Sequence, residues 1–381
     1  MHRILNVVYI LFIMALVLPF VLLGLYFSYI SGMIFLFPIL IVLYLLLGAL
    51  LIVRFYELKS REKVLFRVTV IAVAISLIYT IPGIYGKTRA VVQDGDVGAY
   101  EYEPFKEDSK LVTLTEPSTF KIDENLPIID GATALYPVYS AFAQAVYPEK
   151  EYVQYDSEVM TNRTGEAYEN LIHGRVDIIF AAAPSKEQLA RAKKNNAELK
   201  LTPIGKEAFV FFVNSKNPVT DLSKDEIKGI YSGEIKNWNE VGGKKKSIRA
   251  FQRPEDSGSQ TALQSFMGDV PIMDPPVEDI ASFMGTILDQ VSDYKNYNNA
   301  IGYTFRYYST EMTKNKSIRL LSVNGVEPTK ETIRSEDYPM TNEFYAITAG
   351  SKNPHIDEFI EWILSEQGQE IVEKTGYVSV K

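Results

Sequence analysis

No cysteine occurs among the 381 residues, and histidine appears only three times. The first absence excludes a disulfide framework and leaves no thiol for a lipid anchor. His2, His173 and His355 are scattered, with no second ligand at metal spacing, so no metal site is expected. Tryptophan is nearly missing too, and the two present, Trp238 and Trp362, read as core residues. No internal repeat or low-complexity tract occurs. Serine-hydrolase, zinc-hydrolase and nucleotide-loop signatures are absent. The Asp and Glu pairs fall in no apolar pattern that would tune an acid or base, so no enzyme, catalytic residue or cofactor is expected.

Charge is also short where a nucleic-acid binder would need it. The formal net charge is −8. Up to Gly86 there are six Lys or Arg and two acids; the remainder, with 33 basic and 45 acidic residues, carries −12. An acidic remainder argues against a phosphodiester partner, which requires clustered basic groups. It does not exclude a small anion, since one buried Arg and a ring of N–H dipoles outweigh a distant field. The basic run Lys244-Lys245-Lys246 reads as a solvated turn.

Long apolar runs are abundant, but only at the start. Residues 4–30, 33–53 and 64–85 are each nearly uncharged or extendable to about 20 apolar residues, the length a bilayer demands of a helix. Three transmembrane helices over 1–86 are therefore expected. The loop Arg54 to Arg67 holds five of the six basic residues, which places it in the cytoplasm and everything after Gly86 outside. The first run has no small-residue cleavage site and is too long for a signal peptide. Residues 87–125 are polar, with Gly95, Gly98, Pro104 and Pro117, and read as a partly ordered spacer with at most one short strand at Leu111 to Leu114.

From residue 126 the pattern turns α/β. Strands are expected at Pro127 to Ile129, Val153 to Val159, Val176 to Ala181, Glu207 to Val213 and Ile248 to Phe251. Helices are expected at Val138 to Val146, Gly165 to His173, Lys186 to Asn195 and Ser223 to Ser232. Alternation of this kind predicts mainly parallel sheets covered by helices, with ligands held beyond the carboxyl ends of strands. Three strand-to-helix turns fit that place: Gly131 to Tyr136, Asn162 to Gly165 and Arg253 to Gln260.

The third turn, within FQRPEDSGSQTALQSF, is the most informative. Ser257-Gly258-Ser259 opens a helix whose free N–H groups and dipole favour an anion, and Arg253 adds a fork of donors. The residues alone leave two readings open: an anion-binding corner, or an N-capped helix beside a surface Arg. Thr133 and Thr164 likewise read either as donors or as plain N-caps.

Seven ordered stretches between 127 and 381 then resemble the phosphate-binding proteins that serve bacterial ABC importers, among the periplasmic-type solute-binding proteins. They are DGATALYPVYSAF, NRTGEAYENLIHGRVDIIFAAAP, IYSGEIKNWNEVGG, RPEDSGSQT, AIGYTFRYY, YPMTNEFYAIT and SEQGQEIVEKTGYVSV. The resemblance implies a two-lobe, type II, Venus-flytrap fold of periplasmic-binding-protein kind over 126–381. Lobe 1 would take about 126–208 and 336–381, and lobe 2 about 214–335, with EAFVFFV and YPMTNEFYAIT crossing between them. It implies that phosphate or a similar oxyanion binds to Thr133, the N–H of Ala134, Thr164, Arg253, Ser257, Gly258 and Ser259. Arg163 would add positive charge, and Glu255, or its rival Asp256, would orient Arg253. Ala182 stands where the family places an Asp that accepts the phosphate proton, and no acid replaces it nearby. Selectivity over sulfate-like anions is thereby left open. The implied partners are ABC permease and ATPase subunits and the lipid bilayer, with the binding domain extracytoplasmic. The alternative expectation is a sensor or interaction protein that kept the fold and lost tight binding.

Overall fold

The structure is a computed structural model; it describes residues 99–274, 298–313 and 316–380, together with 14, 15, 17–19 and 22. The chain divides into two compact units, 1–90 and 91–381. The six described residues of the first unit are helical, and the three expected transmembrane helices otherwise lie outside the described residues. Among the described residues no helix is long and apolar enough to cross a membrane.

In chain order the second unit has β1 (Ile129–Gly131), α1 (Tyr136–Val146), α2 (Arg163–Ile172), β2 (Ile178–Ala181), α3 (Lys186–Lys194), β3 (Lys200–Asn214), β4 (Asp221–Leu222), α4 (Lys224–Ser232), β5 (Arg249–Ala250) and α5 (Gly258–Met267). It continues with β6 (Ala300–Phe305), β7 (Ile318–Leu320), β8 (Ser322–Val323), α6 (Lys330–Arg334), β9 (Thr341–Thr348), α7 (Ile356–Ile363) and α8 (Glu366–Thr375). Local chemistry sets many of the helix starts. Ser185 and Ser223 close capping boxes with Gln188 and Glu226, and Ser257 and Ser365 accept from N–H groups three residues on.

Seven strands form one sheet in the order β1-β2-β9-β3-β6-β5, with β7 also on β3, while β4 and β8 pair separately. The fold is mixed α/β, and the expectation of mainly parallel sheets needs correction. Only β1/β2, β5/β6 and β4/β8 are parallel; β2/β9, β3/β9, β3/β6 and β3/β7 are antiparallel. The cause is β3, a fifteen-residue spine. Its first part pairs with β9 (Leu201 to Ile347, Ala208 to Thr341), and its second with β6 (Phe209 to Phe305, Val213 to Ile301). Residues 207–214 are buried throughout, because both faces of this stretch are covered. A register shift lies between Pro203 and Gly205, and there Gly205 is required: a Cβ would stand 2.3 Å from the ring of Phe344.

Each part of β3 has its own core. Tyr139, Phe142, Tyr147, Phe180, Phe359, Trp362 and Tyr377 fill the first half, beside β1, β2 and β9. Phe209, Phe211, Tyr231, Trp238, Leu263 and Tyr303 fill the second, beside β5 and β6. Both tryptophans are buried, and Trp238 Nε1 donates to Asn299 O at 2.7 Å.

Two further expectations differ from the structure. Val153 to Val159 is not a strand; only Val159 makes an isolated bridge, to Ile129. Ser157 Oγ donates to Val153 O at 2.8 Å and accepts from Val159 N at 3.1 Å, so a local turn outcompetes pairing. Residues 99–125 are no loose spacer, and no strand forms at Leu111 to Leu114. They make a strap on the first half: Ala99, Tyr102 and Ile122 join its core, and Leu111, Val112, Leu114 and Phe120 pack against it. Thr115 N donates to Glu370 at 2.9 Å, Thr119 N to Gln367 at 2.9 Å, and Lys374 Nζ to Thr113 O at 3.0 Å. A few scattered apolar residues in a polar stretch pack against the core and hold it there.

Candidate functional site

The three turns singled out in the sequence lie around one cavity of about 200 Å³. Its lining includes Thr133, Ala134, Arg163, Thr164, Arg253, Asp256, Ser257, Gly258 and Ser259. That volume is below the roughly 300 Å³ at which drug-sized ligand pockets begin, so the space suits a small solute.

The first turn leaves β1 and passes through a short 3₁₀ segment, Thr133–Leu135, into α1. Its N-cap, Ala132, supplies no side-chain capping bond, so Thr133 is not an N-cap; it lies one residue further on, nearly buried beside Ala134. Tyr377 OH donates to Ala134 O and ties the C-terminal segment to this turn.

The second turn opens α2. Asn162 is the N-cap but makes no capping bond, because its side chain is engaged elsewhere. Asp130, fully buried at the end of β1, accepts from Gly131 N at 2.7 Å, Asn162 N at 2.8 Å, Asn162 Nδ2 at 3.0 Å and Asn170 Nδ2 at 2.9 Å. One carboxylate therefore fixes the second turn to the first. A buried ion satisfied by several N–H groups is a rigid junction. Sequence reasoning missed this role; the available signal was a charged residue inside an apolar strand end. Arg163 is exposed at φ +64°, a left-handed backbone that bulky residues seldom adopt. Thr164 is buried within the first turn of α2 and is likewise not an N-cap.

The third turn joins β5 to α5. Arg253 is only 8% exposed. Its backbone N–H is shared between Gln260 Oε1 at 3.0 Å and Tyr303 OH at 2.9 Å, and Tyr303 OH in turn donates to Gln260 Oε1. Burial pushes the Tyr303 hydroxyl well up, so it keeps the proton this network needs. Ser257 caps α5 by accepting from Gln260 N at 3.2 Å, which leaves its own O–H free to point elsewhere. Ser259 is 1% exposed, and its Oγ has no hydrogen-bond partner among the described residues. A buried hydroxyl in that condition costs about 1–3 kcal/mol unless something accepts from it.

The supporting residues separate. Glu255 is exposed and is not among the residues lining the cavity. Asp256 does line it, but its Oδ1 lies 2.8 Å from Arg191 Nη2 on α3. Ala182 lines a smaller adjoining cavity of about 20 Å³, with Ala134, Thr164, Gly258, Phe305 and Glu207. No group of three or more His, Cys, Asp or Glu suited to a metal occurs among the described residues.

Chemically the cavity gathers the 3₁₀ segment that precedes α1, the starts of α2 and α5, one buried guanidinium and at least one buried hydroxyl. These donors favour an oxyanion, and the carboxylates of Glu166 and Asp256 also line the cavity.

Residues 126–367 match the PBP superfamily domain. The chain is similar to the phosphate-binding protein PstS of Bacillus subtilis, 28% identical over 253 residues, 66% of this chain and 80% of that protein. It is also similar to the phosphate-binding protein PstS of Borreliella burgdorferi, 26% identical over 216 residues, 55% of this chain and 76% of that protein. Among solved structures, a phosphate ABC transporter substrate-binding protein with bound phosphate from Clostridium perfringens aligns with TM-score 0.51 and 26% identity. The alignment covers 68% of this chain and all of that one. An ABC-type phosphate transport receptor from Vibrio cholerae, at TM-score 0.50 and 20% identity, covers 68% of this chain and 99% of its own, and shares the fold.

Proposed function

This chain belongs to the PBP superfamily, and from that premise we propose that it captures inorganic phosphate, or a closely similar oxyanion, in the cavity between the two halves of its sheet. The observation that carries the reading is the convergence of Thr133, Ala134, Thr164, Arg253, Ser257, Gly258 and Ser259 on one small cavity. The similarity to phosphate-binding proteins supports phosphate as the anion. Arg253 would supply the positive charge and the three turns would supply N–H donors, with Ser259 Oγ and Thr164 Oγ1 completing the set. Affinity would then come from fixed donors in a closed cleft, whatever the net charge. Closure of this kind is a two-state equilibrium driven by contacts made only in the closed state.

The finer assignment is a membrane-tethered, extracytoplasmic binding protein. The apolar runs at 4–30, 33–53 and 64–85 would anchor it, and captured phosphate would pass to permease and ATPase subunits. Three helices are too few to form an importer pore, so transport would need other chains. Domain limits of about 126–208 with 336–381, and about 214–335, remain the proposed lobes.

Replacing Arg253 by Ala in the purified chain tests the site. Loss of a buried, charge-paired donor costs about 2–5 kcal/mol, so phosphate affinity should fall roughly thirty- to several-thousand-fold. Isothermal calorimetry with inorganic phosphate reads this directly, and an unchanged titration in the Arg253→Ala protein removes the site assignment. Ala182 favours a second reading, a sensor that retains the fold without tight binding. Heat on adding neither phosphate nor sulfate to the wild-type chain would select that reading.

A further inference from the structure

We infer that Arg191, which does not line the cavity, is a positioning residue that clasps the two halves of the molecule together over the anion site. The inference rests on the anion-binding reading above and adds to it a residue that controls closure.

Arg191 lies in the last turn of α3, in the first half. Its Nε is 2.8 Å from Glu169 Oε1 on α2, and its Nη2 is 2.8 Å from Asp256 Oδ1. Asp256 belongs to the third turn, three residues after Arg253 and immediately before Ser257. One guanidinium therefore touches a carboxylate of each half: Nη2 donates to Asp256 Oδ1, while Nε and Glu169 form an ion pair without hydrogen-bond geometry. A planar, always-charged guanidinium holds both contacts with less loss of freedom than a flexible ammonium would. The backbones meet at the same seam. A Cβ on Gly165 of α2 would stand 3.0 Å from Asp256 Cβ, and one on Gly258 of α5 would stand 3.1 Å from Thr164 Oγ1. Glu169 and Arg191 are carried by adjacent helices of one half and Asp256 by the other, so parting the halves breaks the Arg191–Asp256 contact and spares Arg191–Glu169. The contact thus belongs to the closed arrangement alone, which is the condition for a group to shift an opening equilibrium. The sequence pattern had offered Asp256 to Arg253; in the fold its carboxylate serves the opposite half.

The side chains are 30–53% exposed, so the clasp is partly solvated and its effect is moderate. Exposed ion pairs contribute up to about 1 kcal/mol, which corresponds to a roughly two- to five-fold change in affinity.

The test uses the full chain and inorganic phosphate, with stopped-flow dissociation as the readout. Arg191→Ala should raise the dissociation rate roughly two- to five-fold and leave the association rate unchanged. Arg191→Lys should recover part of the loss. Asp256→Asn should weaken binding as well, and the double variant should be no worse than the poorer single one. At about 1 M salt the difference between Arg191→Ala and wild type should vanish. Equal dissociation rates in wild type and Arg191→Ala, or fully additive losses in the double variant, would overturn the clasp.

A second readout needs no ligand. Because the chain has no cysteine, spin labels at Glu361→Cys and Lys245→Cys, both exposed and in different halves, report one distance. Arg191→Ala should broaden that distance distribution toward longer values. An unchanged distribution overturns the clasp even if the wild-type chain proves not to bind phosphate, a result that would remove only the phosphate assignment.

Discussion

Glu207 is buried at the middle of β3, where its carboxylate accepts from Ala208 N at 2.8 Å and from Tyr307 N at 3.0 Å. Desolvation dominates over these bonds and over Arg306 and Lys330, and pushes its pKa from 4.5 up to about 7. A carboxyl whose pKa is raised by folding stabilises the fold in its neutral form. That contribution is complete below about pH 4.5 and is lost as the pH rises through about 7. Its size is on the order of 3 kcal/mol. Thermal unfolding followed between about pH 4.5 and pH 8 should show wild-type stability falling with pH more steeply than that of Glu207→Gln; parallel curves would contradict the assignment. In the sequence Glu207 merely starts an apolar run, the expected strand Glu207 to Val213. The strand is in fact longer, and burial at that point depends on β6, β9 and the C-terminal segment, none of them adjacent in sequence. Arg253 and Ser259 are the opposite case, since the role proposed for them was suggested by neighbours only a few residues away.

Among the elements, α2, α5 and the 3₁₀ segment that leads into α1 all begin at the cavity, and their starts were legible because small residues, hydroxyls and glycine gather there. What was not legible is how closely α2 and α5 approach. Gly258 has no left-handed φ among the positive values found, so alanine fits its backbone. A Cβ there would nonetheless sit 3.1 Å from Thr164 Oγ1, and the seam must part by a few tenths of an ångström. Gly258→Ala should therefore lower phosphate affinity by about 1–3 kcal/mol, roughly five- to hundredfold, with the melting temperature held or raised. Calorimetry and melting on the same preparation separate the two effects, and retained affinity with a lowered melting temperature would refute the seam. The segment Val153 to Val159 shows the converse: it has the alternation of a strand, but Ser157 folds it into a turn. Period alone cannot weigh one side-chain bond against a partner strand that has yet to be found.

For the molecule as a whole, the strap 99–125 is held to α1 and α8, both in the first half. On the proposed function, opening and closing would be movements of the second half against a first half stiffened by its strap. Removing two strap acceptors together, Gln367→Ala with Glu370→Ala, should lower the melting temperature by about 2–4 °C for each kcal/mol lost. Phosphate affinity should stay unchanged, because no strap residue lines the cavity. Scanning calorimetry with and without phosphate distinguishes this from damage to the site.

Local chemistry was enough to specify the three turns, most helices and a mixed composition of strands and helices, because caps, periodicity and donor type are properties of residues within one or two turns of each other. Which strands run antiparallel, where the strap packs, and that Asp256 meets Arg191 rather than Arg253 were decided by tertiary structure. Arg191 and Asp256 are 65 residues apart, and only the passage of β3 from one half of the sheet to the other brings their charges within contact.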